Sequence, residues 1–239
     1  MPLETRLFGN LAFAGASGAE RLAAQPKVAQ LLVYLLLARP RGYHRRDRLA
    51  GLFWPDQPDT RARGSLRNAL YVLRELLGEG VILTRGDDEV AVAAEQLRCD
   101  AHAFDAAIAA GELARALELY QGELLEGTFP ELPGVEQWLE GERVAYREAA
   151  AEAAWQLALR YETATDLTSA TRWARKAARL ARTDERRIRR ILQLLDRAGD
   201  RAGAIQIYED FARFLQREYD LTPSAETRGL VQAIREGRR

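Results

Sequence analysis

One stretch of this chain sets charged and amide side chains at a spacing that suits nucleic-acid chemistry. Arg61, Arg63, Arg67 and Arg74 fall within a single helical pattern, with Gly64, Ser65, Asn68 and Tyr71 among them. A guanidinium pairs bidentately with guanine O6/N7 or with a phosphate, and a carboxamide with adenine N6/N7. At about 100° per residue, Ala62, Leu66, Ala69, Leu70, Leu73, Leu76 and Leu77 make one apolar stripe. Gly64, Arg67, Asn68, Tyr71 and Glu75 lie opposite, flanked by Arg61, Arg63, Ser65 and Arg74. Arg61 and Arg63 occupy the first turn, where the helix dipole disfavours each cation by about 0.3–1 kcal/mol. A local rule broken twice points to a polyanion that offsets the cost. Gly64 keeps the face low enough to approach a groove. The plainer alternative is a solvated arginine-rich face. Arg45, Arg46 and Arg48 upstream and Arg85 downstream favour the polyanion, since they fit phosphate contact and minor-groove insertion around a helix in the major groove.

Other constellations carry less. Cys99-Asp-Ala-His102 offers two metal ligands at close spacing, but with one cysteine and two histidines in the chain a zinc set needs carboxylates from elsewhere. Asp100 reads more simply as a helix N-cap and Phe104 as core, while His44 reads as a surface or phosphate-adjacent side chain. No GxxxxGK[ST] loop and no nucleophile motif occurs, so catalytic residues, metal and cofactors are all expected to be none. Arg172, Arg175, Lys176, Arg179, Arg182, Arg186, Arg187, Arg189 and Arg190 form a second basic cluster. It reads either as the solvent face of a helix or as a second anionic contact. Trp138, Trp155 and Trp173 sit in helical patterns as packing residues.

The elements that must position these groups follow from length and pattern. The chain has 239 residues, 47% hydrophobic, with 35 basic and 35 acidic side chains. That composition excludes disorder and suits one large or two modest domains. The charge is segregated: residues 26–74 carry net +7, residues 75–169 net −14 and residues 170–239 net +7. One cysteine excludes an internal disulfide, and the N-terminus lacks the pattern of a signal peptide. The longest apolar run, near Val28–Ala38, is too short to span a bilayer. A cytoplasmic, nucleoid-associated protein with no membrane contact is expected.

Thr5–Phe8 and Leu11–Phe13 read as short strands split by Gly9-Asn10, with a further break at Gly15-Ala-Ser-Gly18. Val28, Leu31, Leu32, Leu35 and Leu36 predict a helix opened by Pro26 and stopped by Pro40 and Gly42. A second helix spans Arg46–Phe53 and a third Thr60–Leu77, with Asp59 as its N-cap. Val81–Thr84 and Glu89–Ala93 read as a hairpin. Strands, three helices and a hairpin assemble naturally as a winged helix. Beyond Asp100 the pattern is helical, with helices expected over Ala114–Leu125 and Val135–Glu162 and a Pro130, Pro133, Gly134 loop between them. Two later units align at a spacing of 34 residues: Ala170 with Ala204, Trp173 with Ile207, Ala174 with Tyr208, Ala177 with Phe211, and Thr165-Asp166 with Gly199-Asp200. That is the tetratricopeptide period; an ordinary helical bundle is the alternative. The expected fold is mostly α. An N-terminal α+β winged helix-turn-helix over 1–97 precedes an all-α tetratricopeptide-like repeat domain over 98–239, with the boundary at Ala94–Asp100.

Leu49-Ala-Gly-Leu-Phe-Trp-Pro-Asp56 followed by Arg61-Ala-Arg-Gly-Ser-Leu-Arg67, Ala69-Leu70 and Leu73-Arg74 resembles the OmpR-like winged helix of the Streptomyces antibiotic regulatory protein family. Asp100 with Phe104, Tyr120-Gln-Gly-Glu-Leu-Leu-Glu-Gly127, Trp138-Leu-Glu-Gly-Glu-Arg143 and Leu221-Thr-Pro-Ser-Ala-Glu-Thr-Arg228 resemble its bacterial transcriptional activator domain. The resemblance covers nearly the whole chain. It implies a sequence-specific activator that binds double-stranded DNA at promoter-proximal direct repeats and recruits RNA polymerase holoenzyme. A homodimer on DNA and the third helix as recognition helix are implied with it. Two positions depart from the family pattern. Asp87, Asp88 and Glu89 make the wing tip acidic, and Gln25-Pro26 stand where relatives often carry a basic residue. The competing expectation is a tetratricopeptide adaptor whose winged helix contacts protein rather than DNA.

Overall fold

The computed structural model describes residues 3–14, 18–93, 96–127, 132–181 and 183–237. The Gly15-Ala-Ser part of the expected break, Ala94–Glu95, Pro130 and Arg182 lie outside them. The described residues form two compact units, one of residues 1–106 with 119–143, the other of residues 107–118 with 144–239.

In the first unit, β1 (Leu3–Arg6) pairs antiparallel with β2 (Ala12–Ala14) and parallel with β6 (Leu97–Cys99), giving the order β2-β1-β6. Helices α1 (Ala19–Ala23), α2 (Pro26–Leu37), α3 (Arg46–Phe53) and α4 (Asp59–Leu77) follow β2. Pro26 stands in the first turn of α2, where its missing N–H costs nothing. A second sheet, β3-β5-β4, is built from β3 (His44–Arg45) and the hairpin β4 (Ile82–Arg85) and β5 (Glu89–Val92). Its register sets Arg85 opposite Glu89 and Arg45 opposite the same Glu89. Leu31, Leu32, Leu36, Leu49, Phe53, Leu66, Leu70 and Leu73 fill the core beneath these helices and are almost wholly inaccessible. This is the winged-helix arrangement the apolar periodicity implied.

Four local expectations need correction. Asp59 does not cap α4: Pro58 holds the N-cap position and its carbonyl accepts from the Arg61 and Ala62 N–H groups at 2.9 Å. Asp59 is instead the first helical residue, where its carboxylate complements the dipole. His44 is buried rather than surface-placed, its ring edge-on to Tyr34 at 5.7 Å, and burial followed by the Arg48 charge lowers its pKa. Asp100 does begin a helix, α5 (Asp100–Ala109), but its carboxylate reaches further than a cap. It accepts from Ala101 N–H at 2.8 Å, from Leu7 N–H at 2.9 and 3.0 Å, and from Phe8 N–H at 3.0 Å.

The fourth correction is the helix expected over Ala114–Leu125. It ends early: α6 spans Leu113–Leu119, and Leu125 takes a left-handed φ of 53°. The segment that follows runs beside the N-terminal strand residues instead. Gly9 N–H donates to Glu123 O at 2.8 Å and Leu125 N–H to Leu7 O at 2.7 Å. Arg143 then locks this segment by donating to Leu124 O and Leu125 O at 2.8 and 2.7 Å. Phe8 meets Phe104 and Tyr120 rings at 5.4 and 4.9 Å. The 120–127 motif and Arg143 are therefore structural.

The second unit continues α7 (Pro133–Thr163), whose first eleven residues belong to the first unit, into α8 (Leu167–Leu180), α9 (Glu185–Arg197), α10 (Arg201–Tyr219) and α11 (Ala225–Glu236). The 34-residue alignment is visible in detail. Asp166 and Asp200 cap α8 and α10 identically, each accepting from the N–H three residues on, at 3.0 and 3.1 Å. Thr165 and Gly199, just before them, both have positive φ, 61° and 78°. Ala170, Ala174, Ala177 and Ala204 are fully buried, so helices approach closely through alanine.

Thr165 is β-branched and disfavoured at its left-handed φ, whereas its counterpart is glycine. Thr165→Gly is expected to raise the unfolding free energy by about 0.5–1 kcal/mol, strain relief minus the entropy glycine adds to the unfolded chain. Gly199→Thr should lower it comparably. Paired urea titrations check both.

Candidate nucleic-acid interface

The exposed side of α4 is assembled as its periodicity requires. Ala62, Leu66, Ala69, Leu70, Leu73 and Leu76 are buried, while Arg61, Arg63, Gly64, Arg67, Asn68 and Tyr71 face solvent. Tyr71 is 58% exposed on this same face. A Cβ added at Gly64 would meet nothing within 4 Å, so this glycine is not required by packing. Ser65 is half-buried, and its hydroxyl donates to Gln57 Oε1 at 2.9 Å. It braces the loop ahead of α4.

The wing closes over one end of this face. Arg46 N–H donates to Asp88 O at 2.8 Å, tying the wing tip to the first turn of α3. Between them lies a cleft of ≈ 520 Å³ lined by Arg45, Arg46, Arg63, Arg67 and Arg74, with Asp47, Asp87 and Asp88 on its walls. Arg46 is half-buried and its Nε has no hydrogen-bond partner among the described residues. Burial first, then the Arg74 and Arg67 charges, pull its guanidinium below its ordinary pKa against the opposing Asp87 and Asp88. Five cations face three carboxylates, and a buried donor has nothing to bind. Such a cleft suits an anionic oxygen.

Two of the arginines expected at DNA are differently placed. Arg45 ion-pairs with Asp47 at 2.6 Å, which holds that carboxyl down to about 2. Arg85 pairs with Glu89 at 2.5 Å and lies over the Tyr43 ring at 4.5 Å, so the wing-tip guanidinium is folded back on its own sheet. By contrast Arg48, Arg61, Arg63, Arg67 and Arg74 make no ion pair with a described residue. The acidic wall of the cleft is only half legible in the sequence. Asp87 and Asp88 read there as wing-tip acids, but their approach to Arg46 and Asp47 comes only with the fold.

Six of the nine cations in the second basic cluster are engaged locally, and Arg182 lies outside the described residues. Arg175 bonds Asp200, Arg187 reaches Glu152 at 2.7 Å, Arg189 reaches Glu226 at 3.1 Å, and Lys176 donates to Leu117 O at 3.0 Å. Arg172 and Arg190 lie over Trp173 and Trp155, each at 5.0 Å. Their work is to hold helices together. Cys99 and His102 are likewise structural: burial pushes the thiol up to about 11, and His102 Nε2 donates to Leu36 O at 2.9 Å. Among the described residues, no three His, Cys, Asp or Glu side chains group to hold a metal, and no helix is long and apolar enough to cross a membrane.

Residues 83–235 match the bacterial transcriptional activator domain. The chain belongs to that family. Its members are regulators, and the match begins in β4 and runs through α11, covering the wing hairpin, the Asp100 and Arg143 locks and the helical repeats together. The chain is also 28% identical, over 90% of its length, to the regulatory protein AfsR of Streptomyces coelicolor, of which it spans 22%. Mycobacterium tuberculosis EmbR, solved in complex with a low-affinity phosphopeptide, shares the fold with a TM-score of 0.62 at 18% identity. That likeness covers the whole of this chain and 66% of EmbR. The chain thus spans less than two thirds of either protein. Family and fold together give a bacterial transcriptional activator domain that follows a winged helix, the domain order of a regulator.

Proposed function

We propose that this activator binds double-stranded DNA sequence-specifically, with α4 in the major groove, at promoter-proximal direct repeats. Residues 1–97 supply the DNA-binding part and residues 98–239 the activator part, which recruits RNA polymerase holoenzyme. The chain works as a homodimer on DNA, in the cytoplasm at the nucleoid. The observation that carries this reading is the unpaired arginine face of α4. Most other arginines of the chain are matched with carboxylates or carbonyls, while Arg61, Arg63 and Arg67 are left open beside Asn68 and Tyr71. The direct-repeat operator, the dimer and the polymerase rest on the family resemblance alone.

The roles divide by placement. Arg67, Asn68 and Arg61 read base edges; Arg46, Arg63 and Arg74 take backbone phosphates around the cleft, and Arg45 does so on leaving Asp47; Gly64 lets the helix sit deep. Ser65 acts through Gln57, and Tyr71 packs against sugar. Arg85 reaches the minor groove only by leaving Glu89.

A salt titration of binding to promoter fragments tests the proposal, because phosphate neutralisation gives a steep linear dependence of log K on log salt. Arg46→Ala should weaken binding to operator and scrambled duplexes alike and lower the slope by about one unit. Unchanged slope and affinity would remove Arg46 from the DNA contacts. The acidic wing tip and the Arg85–Glu89 pair favour one other reading, an adaptor whose winged helix grips protein. Salt-insensitive or absent binding to every duplex tried would select it.

A further inference from the structure

The second unit holds a half-open cleft of ≈ 610 Å³ that none of the foregoing uses. Its floor is Ile188 from α9 with Ile207, Phe211 and Phe214 from α10, and Arg179, Arg213 and Arg217 stand around its mouth. The volume lies within the roughly 300–1,000 Å³ of small-molecule sites, which combine apolar walls with a few convergent polar groups.

The packing shows why the cleft exists. The buried face of α8 is built from Ala170, Ala174 and Ala177, where the aligned positions of α10 carry Ala204, Tyr208 and Phe211. Small residues let α8 sit close to its neighbours without filling the space beyond its last turn. Phe214 is left half-exposed there, in edge contact with Tyr219 at 5.9 Å. Tyr219 and Leu221, 53% and 57% exposed, prolong this apolar ground past the end of α10.

Charge decides what fits. Three guanidiniums line the mouth with one carboxylate, Asp210, and a second, Glu218, stands next to it. Arg213 pairs with Asp210 one turn away and Arg217 with the adjacent Glu218 at 2.7 Å, but these side chains are 70% and 74% exposed. Exposed pairs of this kind hold weakly and exchange readily for a stronger acceptor. A ligand with an apolar body and an anionic head would bury the body on Phe211 and Phe214 and give its head to Arg213 and Arg217. We infer that the α8–α10 cleft is a binding site for a small amphipathic carboxylate, an acyl-chain or aryl-alkyl acid. The site goes beyond the DNA-binding reading and stands independently of it. It gives the activator domain a place for a chemical signal.

The test uses the full chain and three probes that share one alkyl body: dodecanoate, dodecanol and dodecyltrimethylammonium, each below its aggregation limit. Dodecanoate is expected to bind saturably by calorimetry with one site per chain and to raise Tm, because a ligand that binds only the folded state stabilises it. Dodecanol should bind at least tenfold more weakly and the cation weaker still, as each lost charge-assisted bond is worth about tenfold. Arg213→Ala with Arg217→Ala should cost dodecanoate about tenfold or more while leaving dodecanol unchanged. Ile207→Trp, which fills a half-exposed position on the floor, should abolish binding of both. Circular dichroism confirms that each variant is folded, and Arg213→Ala with Arg217→Ala, wholly at the surface, covers the case where the tryptophan does not fold. Absence of saturable binding, equal affinity for the acid and the alcohol, or binding untouched by all three substitutions each overturns the inference. So does a dimer, seen by light scattering, that Ile207→Trp dissociates and dodecanoate leaves intact, since the cleft would then belong to a second copy.

Discussion

Arg67→Ala and Asn68→Ala are each expected to narrow the gap between operator and scrambled DNA by about 1–3 kcal/mol, the worth of a base-reading side chain. Asn68 lies nearly opposite the apolar stripe of α4, and Arg67 and Arg61 flank it, all exposed. A helix entering a groove presents this line of side chains first. Loss of a phosphate contact behaves differently, lowering affinity on every sequence together, so competitive binding at fixed salt with both duplexes separates the two roles. Equal losses on the two duplexes would move Arg67 and Asn68 to the backbone. No loss on either would return the face to plain solvation.

Gly64 sharpens the same experiment. Open space surrounds its Cβ position, so Gly64→Ala should stabilise the helix by up to about 1 kcal/mol, glycine being the poorer helix former. Gly64→Leu should fold equally well yet bind operator much more weakly, because the added side chain would stand between helix and groove. A folded Gly64→Leu chain that binds operator normally would show that the helix does not sit deep at this turn.

What the sequence made legible follows from the range of the forces involved. The stripe of α4 and the boundaries of α3 are written in a 3.6-residue period that tertiary packing had only to accept. Three short elements were not legible: α1, β3 and β6 have no period of their own, and Leu22, His44 and Leu97 anchor them in the core. The early end of α6 belongs with them, since its cause is a backbone pairing between Leu7–Gly9 and Glu123–Glu126. Charge shows the same division. Counting residues finds the net +7 of the last segment, but not which cations are paired: Arg175 with Asp200, Arg189 with Glu226, and Arg187 with Glu152 from outside the segment. In the first segment the count and the outcome agree, because the carboxylates able to reach α4 are few. The cleft around Arg46 required coordinates, as one bond from Arg46 N–H to Asp88 O brings the wing acids to it.

The helical repeat makes the second large prediction. Ala170 and Ala204 occupy the same position one repeat apart, each fully buried. Replacing either with leucine forces side chains off their rotamers or helices apart, at a cost of about 1–3 kcal/mol. Ala202, also on α10 but exposed, is the control, and Ala202→Leu should change stability by no more than about 0.5 kcal/mol. The two core variants should match each other closely because the repeat places them in like surroundings, each four residues after a capping aspartate, Asp166 or Asp200. Thermal melts followed by circular dichroism read the result. If Ala170→Leu and Ala204→Leu melt with the wild-type chain, the close approach of the helices is looser than their burial implies. If only one of them falls, the 34-residue repeat describes the sequence without governing the packing.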